Sequence, residues 1–422
     1  MVAKSLLALL ALAACTSVPR SEPRFAGVNY WEALARLETE KAIAAARTSG
    51  ERQFAESLNN IMIGEIAKAE QGFDSLRLSA SDSVIRSGSR VMHIATLQYQ
   101  EKWSELAELA RDTTRLKTVK PDKAGIELWA LAFSKLPKRT TEFRSRSETV
   151  QMSVSGVGTP LIPVQIGTHE FHFWLDTGSS MTMLASDVAA AIGVTPLVGD
   201  TLEIVTSTGR IVAQPGVVPE LRLGLLTVRN VPTMIVDEMM MRMREPKAMG
   251  QGPHLKIDGI IGFDIIRHLD IEVDYFDAIL RLRDPAHSSK PRERNMFWVG
   301  LPVVQLTSTG GIPLHFALDT GSQLTFVTES LLDKLHLQAA RVESRRVGGL
   351  GGEISMRAPV LADLRVRLRG FPLLFRGAVV RAPVYQVLAV LDGVLGGDIW
   401  GTGAVRIDVT NGVFAVRRGD RD

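Results

Sequence analysis

Between about residues 27 and 145 the apolar positions recur at spacings of three and four, as in "YWEALARLETEKAIAAA" (30–46), "FAESLNNIMIGEIAKAEQGFDSL" (54–76) and "YQEKWSELAELARD" (99–112). That period places the apolar side chains on one stripe of a helix, so an all-α region is expected there. After "RTTEFRSRSE" (139–148) the pattern changes to strand-like alternation, for instance "LIPVQIGTHEFHFWLD" (161–176), with β-branched and aromatic residues between turn residues. The rest of the chain reads as mostly β.

The β half is written twice. Paired apolar runs, 160–175 and 301–318, lead into "FWLDTGSSMTML" (173–184) and "FALDTGSQLTFV" (316–327). Each copy then has a polar turn with glycine, "TSTGRI" (206–211) or "GGLGGEI" (348–354), followed by "DGIIGFDII" (258–266) or "DGVLGGDIW" (392–400). Each ends on a hairpin, 271–283 or 405–417. Four features in the same order make this a duplicated β domain, and "RDPAHSSKPRERN" (283–295) between the copies has the composition of a linker.

Composition narrows the function classes. A chain of 422 residues with 45% hydrophobic and 23% charged residues holds two or three domains with real cores. The net charge is only +3, and basic residues occur in short clusters such as "RVESRRV" (341–347), so a solvated basic face is expected and no nucleic-acid partner. The eight histidines show no metal-ligand spacing, and no phosphate- or dinucleotide-binding loop occurs, so neither metal nor cofactor is expected.

The first residues read as an export signal: Lys4, an apolar run over 6–14 that is too short to span a bilayer, then Cys15, the only cysteine. "LAAC" (12–15) resembles the lipobox of bacterial lipoproteins, which implies cleavage before Cys15 and lipidation of its thiol; an ordinary signal peptide that contains a cysteine is the alternative. Thr16 after the cysteine implies the periplasmic face of the outer membrane if the cell is Gram-negative. One cysteine allows no intramolecular disulfide, so the exported domains rest on packing.

An apolar run ending in Asp-Thr-Gly-Ser, followed at a distance by two apolar residues and a glycine, resembles the lobe of an aspartic protease of the pepsin/retropepsin type. Gly262 follows Asp176 by 86 residues and Gly396 follows Asp319 by 77. The short lobes resemble retropepsins, while two lobes in one chain resemble the pepsin arrangement, and the likeness covers roughly 150–418. The helical stretches resemble tetratricopeptide-type hairpins, although no strict period is visible, and a simple bundle is the plainer expectation.

The chemistry explains the duplication. Hydrolysing a peptide without metal or covalent nucleophile requires a base to activate water and an acid to protonate the scissile group. Two facing carboxylates that share one proton do both, because like charges a few ångströms apart do not both ionise cheaply. One lobe supplies only one aspartate. The resemblance implies that Asp176 and Asp319 are the catalytic pair, that Thr177 and Thr320 hold the two loops together, and that Gly178 and Gly321 let backbone amides approach the carboxylates. It further implies hydrogen bonds from Ser179 and Ser322 to the aspartates, and structural roles for Gly262 and Gly396 where a second segment crosses beneath each loop. Asp264 and Asp398 are expected to cap short helices. Phe263 and Gly397 stand where retropepsins commonly have arginine. Asp274 and Asp408 read as turn or surface residues. Thr208 and Gly209 in the first lobe, and Gly349, Leu350 and Gly351 within 348–352 in the second, are flap candidates or plain hairpin turns. The Met-rich stretch 236–256 reads as a packed loop or short helix, with cleft lining or membrane contact as alternatives.

The sequence therefore predicts an α+β multidomain chain: a lipoprotein signal over 1–15, a helical domain over 27–145, protease lobes over 150–284 and 297–418 paired within the chain, and a linker over 285–296. The expected activity is that of an aspartic endopeptidase acting on a peptide or protein substrate, with a lipid anchor on the membrane and a protein partner for the helical domain. A non-catalytic peptide-binding or scaffolding lipoprotein with the same cleft is the alternative, and pairing of lobes between molecules is a second one.

Overall fold

The computed structural model describes residues 29–111, 125–155, 158–199, 201–244, 254–289, 291, 293–382, 389–399 and 403–417. Cys15 and its neighbours lie outside the described residues.

Helices occupy Tyr30–Ala35, Thr39–Ala45, Ser49–Met62, Ile66–Ser79, Ser83–Tyr99, Trp103–Arg111 and Gly125–Phe133. Their starts are written in the sequence. Thr48 accepts from the Glu51 amide while the Glu51 carboxylate accepts from the Thr48 amide, a reciprocal capping box, and Asp82 accepts from the amides of Val84 and Ile85. The apolar stripes then meet: Phe54 and Phe73 pack edge to face with centroids 5.4 Å apart. Ser49 and Ser83, the first residues of alternate helices, lie 34 residues apart, the spacing of a tetratricopeptide unit, and consecutive helices pack on one another. The helices end at Phe133, short of the expected 145, because Thr140–Phe143 is already a strand, paired with 226–229. This helical unit also takes in 297–300 and Ala389–Val390: Trp298 packs against Tyr99 with centroids 4.4 Å apart, and the Val390 amide donates to the Ala35 carbonyl.

The second unit holds both β-rich lobes. In the first lobe a nine-stranded sheet closes on itself, because the long hairpin Arg210–Leu223 and Leu226–Val236 pairs with strands on both flanks. The second lobe's ten-stranded sheet stays open, with Arg341–Gly349 and Phe371–Arg376 at its edges. A third sheet is shared between lobes: Asp270–Asp274 of the first pairs antiparallel with Ala404–Asp408 of the second, flanked by Ile279–Arg283 and Val413–Arg417. Asp274 and Asp408 lie there, each capping a turn as expected, but buried and not on the surface. Asp274 accepts from the amides of Phe276 and Asp277, and Asp408 from Asn411. Part of the 285–296 linker is ordered as a single turn, Pro285–His287, started by Asp284.

Candidate active site

Each lobe builds the same structure around its aspartate. In the first, the strand His169–Leu175 delivers Asp176, whose amide donates to the Ile261 carbonyl (3.0 Å) of the parallel strand Gly259–Ile261. In the second, Pro313–Leu318 delivers Asp319, and its amide donates to Leu395 (3.0 Å) of Gly393–Leu395. Gly262 and Gly396 sit where another segment crosses. A Cβ on Gly262 would lie 2.4 Å from the Met181 carbonyl carbon, and one on Gly396 would lie 2.5 Å from that of Leu324, so only glycine permits the approach. The residue after each glycine closes the loop from below: Phe263 N–H donates to Ser179 O and Gly397 N–H to Ser322 O, both at 2.7 Å.

The two loops meet through their threonines. The Thr177 amide donates to Thr320 Oγ1 (2.9 Å) and the Thr320 amide to Thr177 Oγ1 (3.1 Å), while each hydroxyl donates onward to the opposite lobe, Thr177 to Leu318 O (2.8 Å) and Thr320 to Leu175 O (2.7 Å). Both threonines are buried, so four satisfied bonds replace water around them. This lock sets the Asp176 carboxyl beside that of Asp319, close enough for each charge to bear on the other. Gly321 lies against Asp176, where an added Cβ would sit 2.6 Å from its Cγ.

Both serines donate to the aspartates as expected, but from the main chain. Their amides, not their hydroxyls, reach the carboxylates: Gly178 and Ser179 N–H donate to Asp176 Oδ1 at 2.8 and 3.3 Å, and Gly321 and Ser322 N–H to Asp319 Oδ1, both at 3.0 Å. The Ser179 hydroxyl turns to Met181 O and that of Ser322 to Leu324 O, because a hydroxyl two residues before a free carbonyl closes its own turn. Asp176 keeps some solvent access, yet protein surrounds most of its carboxyl. Burial first, and the neighbouring Asp319 second, push it up to about 8, against the pull of the two amides.

Asp264 and Asp398 are not helix caps. Gly262 caps Phe263–Ile266, and Asp264 lies within that turn with its carboxylate accepting from Thr182 Oγ1 (3.0 Å) and pairing with Arg139 (3.1 Å). Asp398 accepts from the amide (2.8 Å) and hydroxyl (2.6 Å) of Thr325. Each threonine hydroxyl in turn accepts from the glycine beneath the loop, Gly262 (3.3 Å) or Gly396 (3.1 Å). Asp258 and Asp392, which open the repeated Asp-Gly motifs, accept the amides of His172 (3.1 Å) and His315 (2.7 Å) and so fix the strand that carries each aspartate. Their recurrence in both copies was the available signal. Arg139 has no counterpart in the repeat and gave none.

Both flap candidates are tips of antiparallel hairpins, Leu202–Val205 with 210–213 and Arg341–Gly349 with Gly352–Val360. The tips touch. Leu350 O accepts from Thr206 Oγ1 (3.0 Å) and Thr208 Oγ1 (2.6 Å), and the close approach leaves no room for a Cβ at Gly349, 2.4 Å from Ser207 Oγ. Gly209 tightens the first tip, its amide donating to Thr206 Oγ1 (3.1 Å), and the Gly351 amide donates to Met240 O (3.2 Å). The Met-rich stretch is therefore no helix where it is described: a turn through Asp237–Met241 leads into Arg242–Arg244, paired with His254–Lys256. Met241 is buried and Met239 and Met240 are exposed; 245–253 lie outside the described residues.

Residues 162–265 and 304–399 each match the family model described as aspartyl protease. The likeness to the aspartyl protease family is carried by the two lobes, in segments that cover just under half of the chain. Each matched segment holds one Asp-Thr-Gly-Ser loop with its crossing glycine, and a match to this family points to a peptidase. The helical region lies outside both segments. No curated protein matches the chain.

Proposed function

We propose that this chain is an aspartic endopeptidase in which Asp176 and Asp319 share one proton and activate a water between them. The single observation that supports this most strongly is the reciprocal threonine lock that sets the two carboxyls side by side, each held by two loop amides. The ionised member accepts a proton from water as it attacks the peptide carbonyl, and the protonated member gives its proton to the forming oxyanion or the leaving nitrogen. Burial and the neighbouring like charge raise the pair, so it holds one proton at neutral pH, with one carboxyl serving as acid and the other as base. A binding module would need neither the pair nor the shared proton.

An extended peptide would lie under the hairpin tips and bond them through its main chain, in the manner of an added strand.

Cys15 is the proposed lipid attachment point, placing the enzyme on the periplasmic face of the outer membrane, and the helical region is the proposed seat of a protein partner. Labelling with a radioactive fatty acid in cells, lost in Cys15→Ser, tests the anchor. The catalytic reading is tested with a peptide that carries a tetrahedral secondary alcohol in place of the scissile carbonyl. It should bind about 10²-fold or more tighter than its parent peptide, and equal binding would count against the reading.

A further inference from the structure

We propose that Arg139, which lies before both protease segments, is a positioning residue for the first aspartate; the proposal rests on the peptidase reading above. Arg139 is nearly sealed from solvent, its side chain 4% exposed. Its guanidinium donates to Asp264 Oδ2 (3.1 Å) and to the Asp264 carbonyl (2.7 Å), and lies 3.0 Å from His268 Nε2. Burial, with Arg267 and Arg139 alongside, holds His268 far below its usual range, so the imidazole is neutral and Nε2 accepts.

From Asp264 the chain of bonds runs to the catalytic loop. Asp264 Oδ1 accepts from Thr182 Oγ1 (3.0 Å), Thr182 Oγ1 accepts from the Gly262 amide (3.3 Å), and the preceding Ile261 carbonyl accepts from the Asp176 amide (3.0 Å). Thr182 is completely buried, so these links have no water to substitute for them. Burial pushes the Asp264 carboxyl up, and Arg139 beside it, with Arg267 farther off, opposes that shift and favours the charged form that accepts from Thr182. The second lobe repeats the chain through Asp398, Thr325, Gly396 and Leu395, but no ion pair to Asp398 occurs among the described residues. The arginine is an addition to one lobe, and it comes from the segment that joins the helices to the strands. It follows that a cut separating the helices from the lobes leaves the first site intact only if it falls before residue 139.

The test uses the full chain with Arg139→Met, Arg139→Lys, Arg139→Met/Asp264→Asn and, as an exposed control, Arg365→Met. Amide hydrogen exchange is read at Gly178, Ser179 and Gly262 and at their counterparts Gly321, Ser322 and Gly396, beside kcat and KM on a cleaved peptide. Arg139→Met should speed exchange in the first set and leave the second unchanged, and should lower kcat on the order of 10²-fold with little change in KM. Arg139→Lys should recover part of both. The double variant, which removes the buried charge but keeps an acceptor for Thr182, should recover most of the protection and decides the matter if Arg139→Met does not fold. Unchanged exchange and kcat in Arg139→Met, equal loosening of both lobes, or a double variant that is no better protected than an unpaired site would overturn the proposal. A wild-type chain that cuts nothing sinks the peptidase reading instead, and the exchange data still decide the positioning.

Discussion

Asp319→Asn is expected to lower kcat/KM on the order of 10³–10⁴-fold while leaving the fold intact, and Asp176→Asn to do the same. Asparagine keeps the shape and the acceptor oxygen that the loop amides bond, so the structure loses a proton site and little else. The two variants should nevertheless differ from the parent in stability. The Asp176 carboxyl, ordinarily at 3.8, rises to about 8 in the folded chain because burial and Asp319 disfavour its charge. A raised folded value means that the native state binds the proton more tightly than the unfolded one, so stability is full below pH 3.8 and is lost as pH rises toward 8. Asp176→Asn removes that penalty. It should match the parent near pH 3 and exceed it by roughly 1–3 kcal/mol near pH 8, measured by urea unfolding at each pH. An Asn variant that cleaves normally, or one that is destabilised at pH 8, would contradict the shared-proton account.

Gly321→Ala and Gly262→Ala should separate catalysis from folding. The methyl at 321 would lie 2.6–2.8 Å from the Asp176 carboxyl atoms, so the carboxyl must move off its amide donors or away from Asp319. A displacement of that size is expected to cost about 10²-fold in kcat with a small loss of stability, because the atoms that yield are the end of a side chain. The methyl at 262 meets only backbone, the Met181 carbonyl at 2.4 and 2.6 Å and the Thr182 nitrogen at 2.8 Å. No rotamer relieves it. Gly262→Ala should destabilise the first lobe by about 3 kcal/mol or more and lose activity through unfolding. Denaturant midpoints and kcat measured on the same preparations distinguish the two, and equal midpoints would show that the crossing is looser than 2.4 Å implies.

The sequence spoke most clearly where one short motif fixes local geometry. Asp-Thr-Gly-Ser written twice located both loops, and the glycines at 262 and 396 declared the crossings, because close backbone approach leaves no other residue type. Which atom does the bonding was not legible. The serine amides and hydroxyls are interchangeable on paper, and only the folded turn commits the hydroxyls to Met181 and Leu324. Asp264 looked like a helix cap since it stands at the start of a short helix, but its real partner, Arg139, is 125 residues away along the chain. Pairings of that kind carry no periodicity. The same holds for the tips at Thr208 and Leu350, whose turn chemistry was visible and whose meeting was not. The helical region was legible as helices, while its end at Phe133 was obscured by polar residues that suit a turn, a strand edge or a last helical turn equally well.

The most direct measurement is cleavage of a mixed peptide library by the folded chain without residues 1–15, from pH 3 to 9. The account predicts internal cuts whose kcat/KM describes a bell in pH, with the falling limb near 8 as the pair gives up its shared proton. A folded chain that cuts nothing at any pH, or that cuts with a rate still rising at pH 9, would contradict it.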